Sequence, residues 1–137
     1  MTKLILTGHG SYATGMLSAL ELVSGPKENV VAVDFTKEDT EESLLEKLEE
    51  TVTGGETYLF VCDLMGGTPY KMAMKLAYGI SNYEVVTGAN LGGLLDTCFK
   101  LNQLDQKDLV QNLLVASKKN ILMFEEPTEI KTDTDGI

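Results

Sequence analysis

The chain has 137 residues, with 11 Lys and Arg against 21 Asp and Glu, and a formal net charge of −10. This acid excess argues against a nucleic-acid partner, because binding a phosphate backbone takes clustered Lys and Arg. The length predicts one domain, residues 1–126, followed by an acidic tail, residues 127–137. No apolar run approaches the ~20 residues of a membrane span, and no charged-then-apolar leader opens the chain. We therefore expect a cytoplasmic protein.

Apolar runs alternate with helical patterns along the chain. The predicted strands are residues 4–6, 30–35, 57–62, 83–87 and 120–124. The predicted helices are residues 16–23, 40–52, 70–78, 91–101 and 105–117. Strands that alternate with helices of about a dozen residues predict βαβ crossovers, and so an α/β fold with a mainly parallel sheet. The last strand follows two helices, and both the sheet edge of its own chain and that of a partner are open to it.

Three polar or glycine-rich loops follow predicted strands, at residues 7–11, 63–69 and 87–93. In open parallel sheets, ligand sites collect where strands end and helices begin. Because the first strand often lies centrally in such folds, its loop is expected to face the loop after the third strand.

His9 is the only histidine, follows a buried strand and lies between two glycines. A lone histidine is usually a structural or surface residue, and that remains the alternative interpretation. An imidazole is a nucleophile when one nitrogen is unprotonated and an acceptor holds the other. The glycines leave room for backbone N–H groups to approach an anion, which makes Gly10 and Ser11 candidate phosphoryl-binding residues.

Asp63 ends the third strand and is a candidate acceptor for the imidazole, or else a cap or turn residue. Gly66, Gly67 and Thr68 then open a helix, with Thr68 as the predicted cap and Pro69 at the first helical position. Free amides at this positive helix end are able to hold a phosphate, although the motif also suits a plain helix start.

Other kinds of site are not predicted. No Gly-Lys-Ser/Thr follows the glycines, so an ATP site is not expected. One histidine and two separated cysteines, Cys62 and Cys98, do not make a metal site. Both thiols are expected to be reduced core residues, and neither a metal nor another cofactor is expected.

The motifs resemble those of a known family. Gly8-His9-Gly10, the D-x-x-G-G-T-P run of residues 63–69 and the G-x-N-hydrophobic loop of residues 88–91 are similar to the IIA component of the mannose family of bacterial phosphoenolpyruvate-dependent sugar phosphotransferase systems. The similarity covers about the first hundred residues. The histidine and the D-x-x-G-G-T-P run at this separation are the specific part.

The resemblance implies that His9 accepts a phosphoryl group from the histidine phosphocarrier protein HPr and passes it to a IIB domain. Asp63 would hold the ring, and Thr68 would donate to the phosphoryl oxygens. Because no second domain follows, IIB is expected on a separate chain, with the membrane components IIC and IID as indirect partners. The family also implies a homodimer with a parallel four-stranded core and a C-terminal edge strand that is often exchanged between subunits.

Two alternatives stay open. The phosphocarrier subunit of dihydroxyacetone kinase also uses a histidine after its first strand, although the G-G-T-P run favours the sugar transporter branch. A regulatory binding module of the same fold would use the pocket to sense a phosphorylated partner or a small anion. A transferable phosphoryl group on His9 would distinguish a phosphocarrier from such a binding module.

Overall fold

The sheet has four parallel strands in the computed structural model, which describes residues 1–128. The strands are β1 (Thr2–His9), β2 (Val30–Phe35), β3 (Thr57–Cys62) and β4 (Tyr83–Thr87). Their order is β2-β1-β3-β4, so β1 lies inside the sheet and pairs with β2 on one side and β3 on the other. The predicted α/β class and parallel four-stranded sheet are confirmed.

Five helices connect and flank the strands. They are α1 (Tyr12–Ser24), α2 (Glu41–Thr51), α3 (Thr68–Ala77), α4 (Leu91–Cys98) and α5 (Gln106–Lys119). None of these helices of residues 1–128 is long and apolar enough to cross a membrane.

Both faces of the sheet are buried. Leu4, Leu6 and Leu59 point to the face covered by α1, α4 and α5. Ile5 and Phe60 point to the opposite face, where they pack with residues of α2 and α3. Successive side chains of a strand point to opposite faces, so each inner strand needs an uninterrupted apolar run, and β1 and β3 have one.

Local hydrogen bonds decide where the helices begin. Thr40 and Ser43 form a reciprocal capping box at the start of α2. In α3 the predicted cap is wrong by one position: Gly67 is the N-cap, and Thr68 is already helical. The fourth helix is predicted over residues 91–101, but α4 already ends at Cys98.

The predicted strand at residues 120–124 is absent from the sheet of this chain. Asn120 ends α5 instead, and its N–H donates to the carbonyl groups of Ala116 and Ser117. Ile121 and Phe124, at the two ends of the following segment, are 75% and 85% exposed. A strand needs a neighbour for its backbone groups, and none is present for this segment within residues 1–128. The acidic tail predicted at residues 127–137 lies almost wholly outside the described residues.

Candidate active site

His9 and Asp63 meet at the carboxyl edge of the sheet. His9 is the last residue of β1, and Asp63 directly follows the neighbouring strand β3. The His9 ring nitrogen Nδ1 lies 2.8 Å from Asp63 Oδ2, and the His9 backbone N–H donates to the same oxygen at 2.9 Å. Two hydrogen bonds from one residue to one carboxylate oxygen hold the ring in a single orientation.

The Asp63 carboxylate also decides which ring nitrogen is free. A carboxylate only accepts, so in the neutral imidazole His9 Nδ1 carries the hydrogen and Nε2 keeps its lone pair. Within residues 1–128, no protein group forms a hydrogen bond to Nε2. The His9 side chain is 45% exposed while that of Asp63 is 15% exposed. The arrangement therefore presents a nucleophilic nitrogen to an incoming molecule and keeps the orienting carboxylate covered.

The ring is enclosed on two sides. A Cβ built on Gly67 would lie 2.8 Å from His9 Cε1 and 3.5 Å from Nε2, so the ring packs directly on the Gly67 backbone. Phe35, the register partner of His9 on β2, meets the ring edge to face at 5.8 Å between centroids. These contacts place Nε2 beside the first turn of α3.

The first turn of α3 is suited to an anion. The N–H groups of Thr68 and Tyr70 have no intrahelical acceptor, and Pro69 between them has no N–H. The Thr68 side chain takes no part in a capping hydrogen bond, because Gly67 is the N-cap. Unpaired amides and the positive helix end favour a negative group at this place. The Gly67 amide is used locally, donating to the Leu64 carbonyl at 3.2 Å.

Gly10 and Ser11 have a different setting from the α3 residues. Gly10 adopts φ of +61°, and its N–H donates to the Phe35 carbonyl at 2.8 Å, so this amide is not available to an anion. Ser11 is the exposed N-cap of α1, and its hydroxyl makes no capping hydrogen bond. The Asp34 carboxylate binds the first turn of α1 instead, accepting hydrogen bonds from the Thr14 N–H at 3.1 Å and the Thr14 hydroxyl at 2.7 Å. Because Asp34 already supplies a negative charge there, the start of α3 suits an anion better than the start of α1.

Two other titratable groups contact the site and stay uncharged. Burial raises the pKa of the Cys62 thiol to about 12, and the adjacent Asp63 carboxylate adds to the rise. The pKa of Tyr12 is also raised, first by burial and then by Asp63 and Cys62. At neutral pH the thiol does not compete with His9 as a nucleophile. Cys98 is a second free, half-buried thiol away from this edge.

Sequence reasoning missed Phe35 and Tyr12. Phe35 ends β2, and the parallel register that places it beside His9 is the signal that was available. Tyr12 is the first residue of α1 and comes three residues after His9, where an aromatic side chain is able to fold back over the loop.

A family model described as "PTS system fructose IIA component" matches residues 3–114. The fold is thus that of a phosphotransfer protein. The chain belongs to this family, the mannose-type EIIA components of the sugar phosphotransferase system, which are phosphocarriers of sugar uptake.

Individual relatives agree with the family model. The "PTS system fructose-specific EIIA component" of Bacillus subtilis is 29% identical over 136 residues, covering 96% of this chain and 93% of the relative. The "PTS system sorbose-specific EIIA component" of Lacticaseibacillus casei is 31% identical over 114 residues, covering 82% and 83%. The crystal structure of EIIA from Streptococcus agalactiae superposes with a TM-score of 0.85 at 28% identity, covering 90% of this chain and 97% of the other.

Proposed function

We propose that this chain accepts a phosphoryl group from HPr on Nε2 of His9 and passes it to a IIB domain on a separate chain. The hydrogen bond between His9 Nδ1 and Asp63 Oδ2 carries the proposal, because it leaves Nε2 as the nucleophile. The reaction takes place in the cytoplasm, and the membrane components IIC and IID are reached only through IIB.

In the proposed transfer, the lone pair of Nε2 attacks the phosphorus atom held by the phosphohistidine of HPr. A new N–P bond forms on His9 while the N–P bond to HPr breaks, and the departing nitrogen recovers its lone pair. The Nδ1–H stays in place, so the phosphorylated His9 ring carries a positive charge. Asp63 Oδ2, 2.8 Å away, offsets that charge, and transfer to IIB repeats the same exchange in the opposite sense.

The first turn of α3 supports the group while it is carried. The N–H groups of Thr68 and Tyr70 and the Thr68 hydroxyl belong to the first turn of α3, directly after Gly67, on which the His9 ring packs. We assign them to the phosphoryl oxygens. Gly66 and Gly67 contribute through their backbone conformation and small size. Gly66 adopts φ of +80° in the turn, and the missing Cβ at Gly67 leaves room for the His9 ring.

The loop after β3 also offers a surface for partner proteins. Leu64 and Met65 follow Asp63 directly and are 58% and 69% exposed. Apolar side chains exposed beside a reactive group are typical of a docking rim. The same rim is therefore proposed to receive HPr and IIB.

A two-step transfer assay tests the proposal. Incubation with phosphoenolpyruvate, enzyme I and HPr should add one acid-labile phosphoryl group, measured by intact mass. Addition of a IIB domain should then remove it. Failure of the first step contradicts phosphorylation by HPr, and failure of the second alone supports the binding-module alternative.

Substituting Gly67 tests the packing of the ring. Gly67 has φ of −74°, which alanine adopts freely, so Gly67→Ala adds only a methyl group against His9 Cε1. We expect phosphorylation by HPr to slow roughly ten- to a hundredfold, because small displacements of a reacting atom have effects of that size. The thermal midpoint should change little.

Gly66→Ala is the matched control. It places no atom within 4 Å of another group but strains a residue with φ of +80°, so it should cost about 1 kcal/mol of stability. A wild-type phosphorylation rate in Gly67→Ala would show that the ring does not need its place on the α3 backbone.

We further propose a homodimer that shares the C-terminal segment of residues 121–124. Its four apolar side chains are 75–85% exposed in the single chain. The outer edge of β4 has no strand beside it within residues 1–128, and an apolar cavity of about 110 Å³ lies next to it, lined in part by Val86, Leu113 and Leu114. An apolar segment and an unpaired edge complete each other when the segment of one subunit adds to β4 of its partner.

Truncation tests the shared segment. Removing residues 121–137 leaves α5 whole and should convert a dimer into monomer or aggregate, measured by light scattering. Removing only residues 127–137 takes away the acidic tail and should leave the dimer intact. A folded monomer of the intact chain at micromolar concentration would refute the proposal.

A further inference from the structure

The space above Gly8 is shared by two side chains. A Cβ built on Gly8 would clash with Tyr12 Cδ1 and lie 2.9 Å from Asp63 Cγ. The Tyr12 ring and the Asp63 carboxyl group are therefore side by side, and the absence of a side chain at Gly8 makes this possible. Tyr12 reaches this position as the first residue of α1.

The two residues in this contact each carry a buried polar atom that has no hydrogen-bond partner within residues 1–128. These atoms are the Tyr12 hydroxyl oxygen and Asp63 Oδ1, the carboxylate oxygen that does not bind His9. A buried carboxylate oxygen without a donor is costly to maintain, and such exceptions are concentrated where they serve a function. Among the described residues, the Asp63 carboxylate is therefore hydrogen-bonded only through Oδ2, by the His9 backbone N–H and ring.

Asp63 Oδ1 is buried from solvent, and the Tyr12 ring lies beside the carboxyl group that carries it. An interaction between charges strengthens as water is removed, because the local dielectric falls. If the ring were absent, water would solvate Oδ1, and the carboxylate would gain freedom to rotate away from His9. The raised pKa of Tyr12, due first to burial and then to Asp63, agrees with a neutral phenol held against a carboxylate.

We propose that Tyr12 is a positioning residue. Its ring keeps water away from Asp63 Oδ1 and keeps the carboxylate directed at His9 Nδ1. The proposal rests on the proposed function of His9 and deepens it. The ring performs this role, and the hydroxyl group, which has no partner, does not.

The test compares Tyr12→Leu with the conservative Tyr12→Phe. Tyr12→Leu should slow phosphorylation by HPr about tenfold, a coupling within the range measured for residues in one network. Tyr12→Phe, which keeps the ring, should recover most of that rate. Because the chain has one histidine, ¹⁵N NMR of the unphosphorylated protein reports the His9 tautomer without ambiguity. The fraction with hydrogen on Nδ1 should fall in Tyr12→Leu and be kept in Tyr12→Phe.

A double-mutant cycle with Asp63→Asn separates positioning from general destabilisation. If Tyr12 acts through Asp63, Tyr12→Leu should cost little further rate in the Asp63→Asn background. A full tenfold loss in that background, an unchanged tautomer in Tyr12→Leu, or a large loss in the well-folded Tyr12→Phe would each overturn the proposal. The tautomer measurement needs no phosphoryl transfer, so it decides the role of Tyr12 even if HPr does not phosphorylate His9.

Discussion

His9→Ala is expected to gain no phosphoryl group from phosphoenolpyruvate, enzyme I and HPr. The substitution removes Nε2, the proposed nucleophile, which Asp63 leaves free by accepting the hydrogen of Nδ1. The Cys62 thiol does not replace it, because burial and the neighbouring carboxylate raise its pKa to about 12. Intact-mass measurement should show one added phosphoryl group on the wild-type protein and none on the variant.

Two controls accompany this experiment. His9 is at the exposed end of β1, so the variant should keep a thermal midpoint close to that of the wild type. Brief acid treatment should remove the group from the wild-type protein, because a phosphorus–nitrogen bond is acid-labile and a serine or threonine ester is not. A phosphoryl group added to His9→Ala would contradict the assignment of His9 as the phosphorylated residue.

Asp63→Asn is expected to slow phosphorylation by HPr about ten- to more than a hundredfold. The loss of one charge-assisted hydrogen bond costs ~1.5–3 kcal/mol, which corresponds to that change in rate. Asparagine keeps the size of the side chain but not its charge. Its amide is also able to present N–H₂ to Nδ1 and so favour the wrong tautomer of His9.

The thermal midpoint distinguishes the chemical role of Asp63 from a structural one. Asparagine performs turn and capping tasks about as well as aspartate, so a structural Asp63 would tolerate the change. The expected result is a clear loss of rate with a nearly unchanged midpoint. An unchanged rate of phosphorylation would mean that Asp63 is only a turn residue, and His9 would then have no orienting partner.

Much of the fold could be predicted because its strands are bounded by strong local signals. The apolar runs of β2, β3 and β4 have the predicted limits. The segment 120–124 shows the limit of such reasoning. Its apolar residues suit a strand, but a strand forms only where a neighbour offers backbone groups, and a local pattern does not contain that neighbour.

The meeting of His9 and Asp63 also follows from general rules, since neighbouring parallel strands end at one edge of the sheet. The shape of the pocket does not follow from them. Phe35 reaches the ring through strand register, and Tyr12 reaches Asp63 through the empty space over Gly8. Contacts of this kind depend on the direction of each side chain and on the missing Cβ of a glycine. Neither can be derived from the sequence until the path of the backbone is known.

The enclosure of the His9 ring limits the order of events in the proposed cycle. Asp63 occupies the Nδ1 side, Gly67 lies against Cε1, and Phe35 meets the ring from β2. Nε2 is the ring nitrogen that Asp63 leaves free, and in the proposed cycle a donor protein and an acceptor protein must reach it in turn. The proposed exchange is therefore of the ping-pong kind, in which we expect HPr in excess to obstruct discharge to IIB.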